Sequence, residues 1–414
     1  MKRIAILSVI LCACLVSPSW PQQNRGTLHF GKQSVFGHRI TKEIPKIPSA
    51  FRSPALTVPA AAAQNIHVWD LGTSSDGTWA EAGGINDFGV MVAQGDAADG
   101  DNHLFKIELF GPRARQWSDM GALAAYEGWF NWPLIADSGL IVGYAAAADY
   151  VHGFVWTGQS GKTDLGALPE LGRNNSEAIA VNKLGTLVAG QAWSDTTAQV
   201  YPVAWTPSIG WNGGRLNVTW KIHPLPTVKE FPYGFVYGAN VFGQMAGAIY
   251  NDDGVYVAAL WNPIAGGKGW KLIQLPRSKD WPDVAIAGDI NEKGEIVGDV
   301  LSLDFVYGYS SLWQPVDQRR QTYKLTLLPN AWGLPNGDTA EGINDVGDIV
   351  GASWDENFNM VAVRWSTKDL TSVQLLGFPG DWSLAFRVNE FGIATGTYGG
   401  GQCANECVAA VQFR

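Results

Sequence analysis

The feature that most constrains this chain is internal repetition. The segment Ile85-Asn86-Asp87-Phe88-Gly89-Val90-Met91-Val92-Ala93 returns as Ile290-Asn291-Glu292-Lys293-Gly294-Glu295-Ile296-Val297-Gly298, and again as Ile343-Asn344-Asp345-Val346-Gly347-Asp348-Ile349-Val350-Gly351. Weaker copies centre on Gly139, Gly185, Gly243 and Gly392, so successive marker glycines stand 50, 46, 58, 51, 53 and 45 residues apart. A period of this length belongs to architectures in which each copy is one supersecondary unit that buries its apolar faces only against its neighbours.

Each copy reads as strands. A short apolar stretch ends at Asn, two residues make a turn, and Gly closes it. Asn and Gly both tolerate the positive φ of tight hairpins. Four residues past the glycine the side chain is always small (Ala93, Gly143, Ala189, Gly247, Gly298, Gly351, Gly396), so something large is expected to pack there. A third strand ends in Trp156, Trp205, Trp261, Trp313 or Trp365, and a fourth follows. Four short antiparallel strands every 50 residues or so, with no intervening amphipathic helix pattern, predict a blade of a β-propeller. The last copy stops after three strands, with residues 407–413 as the third. Asn65-Ile66-His67-Val68-Trp69-Asp70-Leu71-Gly72 is an orphan fourth strand that matches Asp164-Leu165-Gly166. The expected fold is therefore all-β: a seven-bladed β-propeller over residues 64–414, closed by the N-terminal strand joining the last blade, which removes the exposed ends of the array.

Composition narrows the function. The 414 residues include 29 Lys and Arg against 38 Asp and Glu, a formal charge of −9, with 49 Gly, 21 Pro and 19 Trp. The chain is too apolar and aromatic for disorder and too rich in turn formers for a mostly helical fold. An acidic chain lacking Lys/Arg clusters argues against nucleic acid as the main partner.

The copy His152-Gly153-Phe154-Val155-Trp156, followed by Asp164-Leu165-Gly166-Ala167-Leu168 and Val181-Asn182-Lys183-Leu184-Gly185, resembles the HAF repeat of extracellular bacterial proteins. His103-Leu104-Phe105 is a partial second match. The resemblance spans roughly residues 66–413 and implies an exported, β-propeller-like protein. The family's activity is largely undefined, so no catalytic residue is carried across.

The N-terminus reads as an address. Lys2 and Arg3 precede an apolar run over residues 4–16, too short to span a bilayer, which is the pattern of an export signal over residues 1–19. Two processing routes fit: cleavage after Ser19, or lipidation of Cys14 in the lipobox-like Leu11-Cys12-Ala13-Cys14. Residues 20–63 read as a flexible tether. The expected location is extracellular, periplasmic or lipid-anchored at the cell surface, with membrane contact only through that anchor. In an exported chain Cys403 and Cys407 are read as a disulfide rather than a metal or redox pair, since no His lies beside them.

In a propeller the loops entering strand one and the loops between strands two and three share a face. Ten residues before the markers stand Trp79, Trp129, Asn175, Tyr233, Val284, Gly337 and Trp382, with Trp132 and Trp281 close by. The second-to-third-strand loops add Trp193, Tyr250, Phe305, Trp354 and Tyr398. A rim of Trp79, Trp129, Trp132, Tyr233, Trp382, Trp193 and Trp354 is the candidate ligand-binding surface, for sugar faces or a protein segment. The alternative is that these rings pack between blades, as the third-strand tryptophans are expected to do. The acidic loop carrying Asp96, Asp99 and Asp101 offers oxygens that would suit calcium, but turn chemistry explains it as well, and no other cofactor is indicated. Ser74-Ser75-Asp76-Gly77-Thr78-Trp79 is an imperfect sialidase-type box, one residue short at two places. No nucleophile elbow, phosphate loop or metal triad occurs. Asp87, Glu292, Asp345 and Glu390 are read as turn residues on the face opposite the rim. The reading is a monomeric, non-catalytic binding module. A carbohydrate-active hydrolase or lyase using channel carboxylates is the alternative.

Overall fold

The computed structural model describes residues 66–414 apart from 125–132, 148–149, 159, 195, 198, 213–214, 306, 318–320, 337 and 402. Among the described residues there are 28 strands, a 3₁₀ turn at Pro169–Leu171 and no α-helix. The candidates Trp129, Trp132 and Cys14, the export signal and the tether lie outside the described residues.

After β1 (His67–Gly72) the strands follow in fours. They are β2 (Ala80–Ile85), β3 (Val90–Asp96), β4 (Asn102–Glu108) and β5 (Trp117–Ala124), then β6 (Leu134–Ile135), β7 (Ile141–Ala147), β8 (Tyr150–Thr157) and β9 (Gly161–Asp164). Next come β10 (Asn175–Val181), β11 (Val188–Trp193), β12 (Val200–Asn212) and β13 (Arg215–Pro224), then β14 (Tyr233–Ala239), β15 (Met245–Tyr250), β16 (Tyr256–Pro263) and β17 (Trp270–Gln274). Then follow β18 (Val284–Ile290), β19 (Ile296–Leu301), β20 (Gly308–Asp317) and β21 (Thr322–Leu327), and β22 (Thr339–Ile343), β23 (Asp348–Trp354), β24 (Met360–Ser366) and β25 (Asp369–Leu375). The chain ends with β26 (Trp382–Val388), β27 (Ile393–Gly400) and β28 (Cys403–Gln412). Each of the first six groups is an antiparallel meander of four, and the last has three strands. A single parallel bridge, Tyr256 to Val284, touches the β14 sheet to the β18 sheet, and β1 pairs antiparallel with β28 in the order β1-β28-β27-β26. Successive four-stranded meanders packed on one another in chain order are the building plan of a β-propeller.

The strand at each level has the chemistry its level requires. Inner strands are small and buried, as in β2 (Ala-Glu-Ala-Gly-Gly-Ile) and β18 (Val-Ala-Ile-Ala-Gly-Asp-Ile). Outer strands β9, β17 and β21 alternate exposed and half-buried residues and carry lysines, which discourages pairing with other chains.

Two expectations change on inspection of the turns. The marker glycines do take the left-handed conformation, from φ 69° at Gly185 to 94° at Gly347, whereas none of the described turn asparagines does. Asparagine is there for its hydrogen bonds. Asn389 Oδ1 accepts from Phe391 N and Ile393 N, holding its own turn, while its Nδ2 donates 3.1 Å to Asn86 O of another sheet. The same reach links Asn86 to Ala136 O, Asn240 to Asn291 O, Asn291 to Asn344 O and Asn344 to Asn389 O. The small residue past the marker is also explained by backbone rather than by a large side chain. The first strand bulges, as between Ala340 and Gly342, and pushes a carbonyl at the second. A Cβ on Gly351 would sit 1.9 Å from Thr339 O, and one on Gly298 2.0 Å from Ile286 O. In the β10 sheet the constrained residue is Gly190, opposite Ala178, and not Ala189.

Third-strand tryptophans bind sheet to sheet. Trp205, Trp261, Trp313 and Trp365 are fully buried, and their indole N–H groups donate to Leu165 O, Pro226 O, Pro276 O and Pro329 O. Each acceptor lies in the loop leaving the preceding sheet. The orphan strand is treated like a fourth strand at the same point: Trp117 Nε1 donates to Leu71 O, and Gly72 N to Asp70 Oδ1, as Gly166 N does to Asp164 Oδ1.

Candidate functional site

The inner strands run between two unlike faces. At one lie the entries to the first strands and the loops between second and third strands. At the other lie the asparagine turns.

On the entry face the structure separates the predicted aromatics. Trp193 and Trp354, 4% and 3% exposed, are core residues and not rim residues. Trp193 packs with Phe235, Tyr256 and Val284, and Trp354 with Trp69, Met360 and Phe386. Trp382 is half-buried against that second cluster, its indole lying on Gly399. Trp79 is half-buried where the chain enters β2. Of the described rim candidates Tyr233 joins an extended aromatic array, together with Tyr250 and Phe305 of the second-to-third-strand loops. Its ring meets Tyr201 edge-on at 5.6 Å and Tyr250 at 5.3 Å; Tyr250 stacks on Tyr256 at 4.9 Å and 16°, and Tyr256 meets Phe305 at 5.7 Å. These rings come from three successive sheets, and Tyr201, Tyr233, Tyr250 and Phe305 keep part of their surface in solvent.

Polar groups frame this array. The Arg173 guanidinium lies 3.4 Å from the centre of the Tyr201 ring, a cation–π arrangement. Tyr233 Oη donates to Asp252 Oδ2 at 3.4 Å, and Val200 N donates to Tyr250 Oη at 3.0 Å. Tyr201 and Arg173 were missed in sequence because they occupy a third-strand start and a sheet-to-sheet connection, neither counted from the marker glycine.

The acidic loop is used up by its own turn. Asp96 accepts from Thr78 N, Thr78 Oγ1 and Trp79 N, tying the entry loop down. Asp99 accepts from Asp101 N and contacts His103 Nε2, whose Nδ1 contacts Asp119. Among the described residues no three His, Cys, Asp or Glu side chains are grouped so as to hold a metal ion. Nearby, Cys403 and Cys407 form a disulfide with Cα atoms 6.0 Å apart. It closes the turn from which Asn405 Nδ2 donates to Thr78 O. Glu406, in the same turn, hydrogen-bonds Glu81; burial raises the Glu406 carboxyl and that bond pulls it back. Gln94 Nε2 donates 2.8 Å to Glu81 Oε2.

The turn face is ordered in layers. The last residues of the inner strands, Ile85, Ile135, Val181, Ile290, Ile343 and Val388, line a cavity that is polar as well as apolar, since Asp87, Asp137, Lys183, Asp289, Glu292, Asp345 and Arg387 line it too. Below them the residues after each asparagine form a hydrogen-bonded circuit. Asp87 N donates to Asp137 Oδ1, Glu292 N to Asp345 Oδ1, Asp345 N to Glu390, and Glu390 N to Asp87 Oδ1. Turn residues they are, as expected, but each also binds its neighbour's sheet. Lys183 crosses from the β10 sheet to Asp345, 2.8 Å away, and to Glu390. Burial opposes the charge on Lys183, yet the bonds to Asp345 and Glu390 outweigh it and hold the ammonium above its ordinary range. Burial, with Asp345 beside it, pushes Glu292 up to about 7 against the hydrogen bond from Val241 N.

No family model matches the chain, and no curated protein matches it either. Solved structures do. The β-propeller domain of the Trilobed protease from Pyrococcus furiosus aligns at 9% identity with a TM-score of 0.47, covering 80% of this chain and 97% of that one. A mutant of the Aleuria aurantia lectin in complex with alpha-methyl-L-fucoside aligns at 14% identity and a TM-score of 0.36, covering 75% and 99%. Trypanosoma rangeli sialidase aligns at 9% identity and a TM-score of 0.41, covering 85% and 60%.

Proposed function

We propose that the chain is an exported, HAF-repeat-type propeller of seven blades, closed by β1, that works as a binding module through its entry face. Closure is supported by the register of β1 on β28, in which Val68 lies opposite Val411, and by the bond from Asn389 to Asn86 O. The ligand is a glycan or a protein segment with a flat or apolar face. The observation that carries this reading is the part-exposed array of Tyr201, Tyr233, Tyr250 and Phe305 with Arg173 and Asp252 at its margin. Rigid rings offer contact area at little entropic cost, and the charged margin orients hydroxyl or amide groups. The test is a glycan array probed with the whole mature chain, followed by Tyr233→Ala and Tyr201→Ala. Binding should weaken at least tenfold while the melting temperature stays within about 3 °C. Equal binding by these variants would remove the array from the site.

A hydrolase reading rests on one feature, the hydrogen bond between the Glu81 and Glu406 carboxyls. Two carboxyls sharing a proton form an acid–base couple. Turnover of an array-identified glycan, lost in Glu406→Gln, would favour it over binding alone.

A further inference from the structure

The turn face, opposite the aromatic array, carries a pattern that the binding reading does not use. The second turn residue is Phe88, Phe242 or Phe391 at three turns and Leu184 at another, and these are 59–71% exposed. Exposed large apolar residues repeated at one structural position around a rim mark an interaction surface. Inside that rim stand five carboxylates, those of Asp87, Asp137, Glu292, Asp345 and Glu390. Lys183 pairs with the last two only. Among the described residues Asp87, Asp137 and Glu292 receive backbone N–H bonds and no ion pair. The surface thus sets carboxylates, with Lys183 and Arg387 among them, inside a rim whose second turn residues are Phe88, Leu184, Phe242 and Phe391 at four turns and Ser138, Lys293 and Val346 at the others, and it suits a segment in which basic and apolar residues alternate.

The chain has such a segment, and it enters at this face. His67 of β1 lies opposite Gln412, and Phe413 N donates to Gly392 O in the turn after Asn389. The start of β1 therefore lies on the turn side. Residues 25–52 hold Arg25, Lys32, Arg39, Lys42, Lys46 and Arg52 against a single acid, Glu43, interleaved with Phe30, Phe36, Ile40, Ile44, Ile47 and Phe51. The fifteen residues from Arg52 to His67 can reach roughly 50 Å, while four strands at about 4.8 Å put the channel axis about 20 Å from β1.

We propose that residues 25–52 of the same chain dock across the turn face, setting lysine or arginine against Asp87, Asp137 and Glu292 and apolar side chains on the phenylalanine rim.

Limited trypsin digestion of the full mature chain tests this, with a synthetic peptide of residues 20–66 digested alongside to set the free rate. At low salt, cleavage at Arg39, Lys42 and Lys46 should be at least fivefold slower in the protein than in the peptide. Asp87→Asn with Glu292→Gln keeps the acceptors for Glu390 N and Val241 N but removes the charges, and should restore the peptide's rate without lowering the melting temperature. Phe242→Ser with Phe391→Ser should restore it by the apolar route. Cleavage of the unmodified chain at the peptide's rate would overturn the proposal. So would carbodiimide cross-links from Lys42 or Lys46 to Glu292 that form only between isotopically distinct copies, because the occupant would then be a second molecule.

Discussion

Glu177 illustrates how much of this protein's behaviour rests on single buried groups. It faces Gln191 across β10 and β11, and Gln191 Nε2 donates to it at 2.5 Å. Burial outweighs that bond and raises its carboxyl to about 7, and Gln191 Oε1 has no partner that an ionised Glu177 could supply. Below about pH 4.5 the carboxyl is protonated in both folded and unfolded chains. Between that value and about 7 only the unfolded chain ionises, so stability contributed at low pH is lost as pH rises through the folded value. The loss is on the order of 2–3 kcal/mol. Glu177→Gln should therefore flatten the fall in melting temperature between pH 5 and 8, measured by calorimetry; an unchanged slope would mean that Glu177 is ionised in the fold. His152 follows the same sign. Its bond to Asp164 raises it while burial opposes, and its other nitrogen meets Asn174 O, so His152 clasps the outer strand β9 to the start of the next sheet.

At the scale of the element, a repeat unit is held by one bulge, one glycine and one tryptophan. The glycine is obligatory because the bulged first strand aims a carbonyl at it. Gly351→Ala, with its Cβ at 1.9 Å from Thr339 O, should cost more than about 2 kcal/mol in chemical denaturation, whereas Gly100→Ala, with open space around it, should cost only its left-handed strain of about 1 kcal/mol. The tryptophan is chosen for its N–H as much as its bulk. Trp313→Phe would leave Pro276 O without its donor inside the core and should destabilise by about 2–4 kcal/mol, with cavity and hydrogen-bond terms together. The Cys403–Cys407 bond closes a five-residue loop, so replacing both cysteines by serine should cost about 2 kcal/mol and leave the strand pattern in circular dichroism intact.

At the scale of the whole molecule the chain's ends and its axis decide stability. β1 covers the edge of β28. Deleting residues 67–72 should expose that edge and drive association, seen as higher-order species in light scattering, beyond any loss of melting temperature. Lys183→Met would leave Asp345 and Glu390 facing one another without a counter-charge on the turn face, and should lower the melting temperature more at low salt than at high salt, where their repulsion is screened.

The sequence by itself determined the repeat, the four strands in each copy, the glycine that must turn left-handed, and the match of Asp70-Leu71-Gly72 to a fourth strand. These depend on residues within about fifty positions of one another, where turn chemistry and side-chain alternation act directly. It did not distinguish Tyr233, which lies in an open aromatic array, from Trp193 and Trp354, which occupy equivalent loop ends in the core. Nor did it disclose that Lys183 reaches partners 162 and 207 residues away. Exposure and ion pairing are set by which sheets meet. That meeting is a property of the assembled array, because each unit's pattern is satisfied locally whatever its neighbour presents.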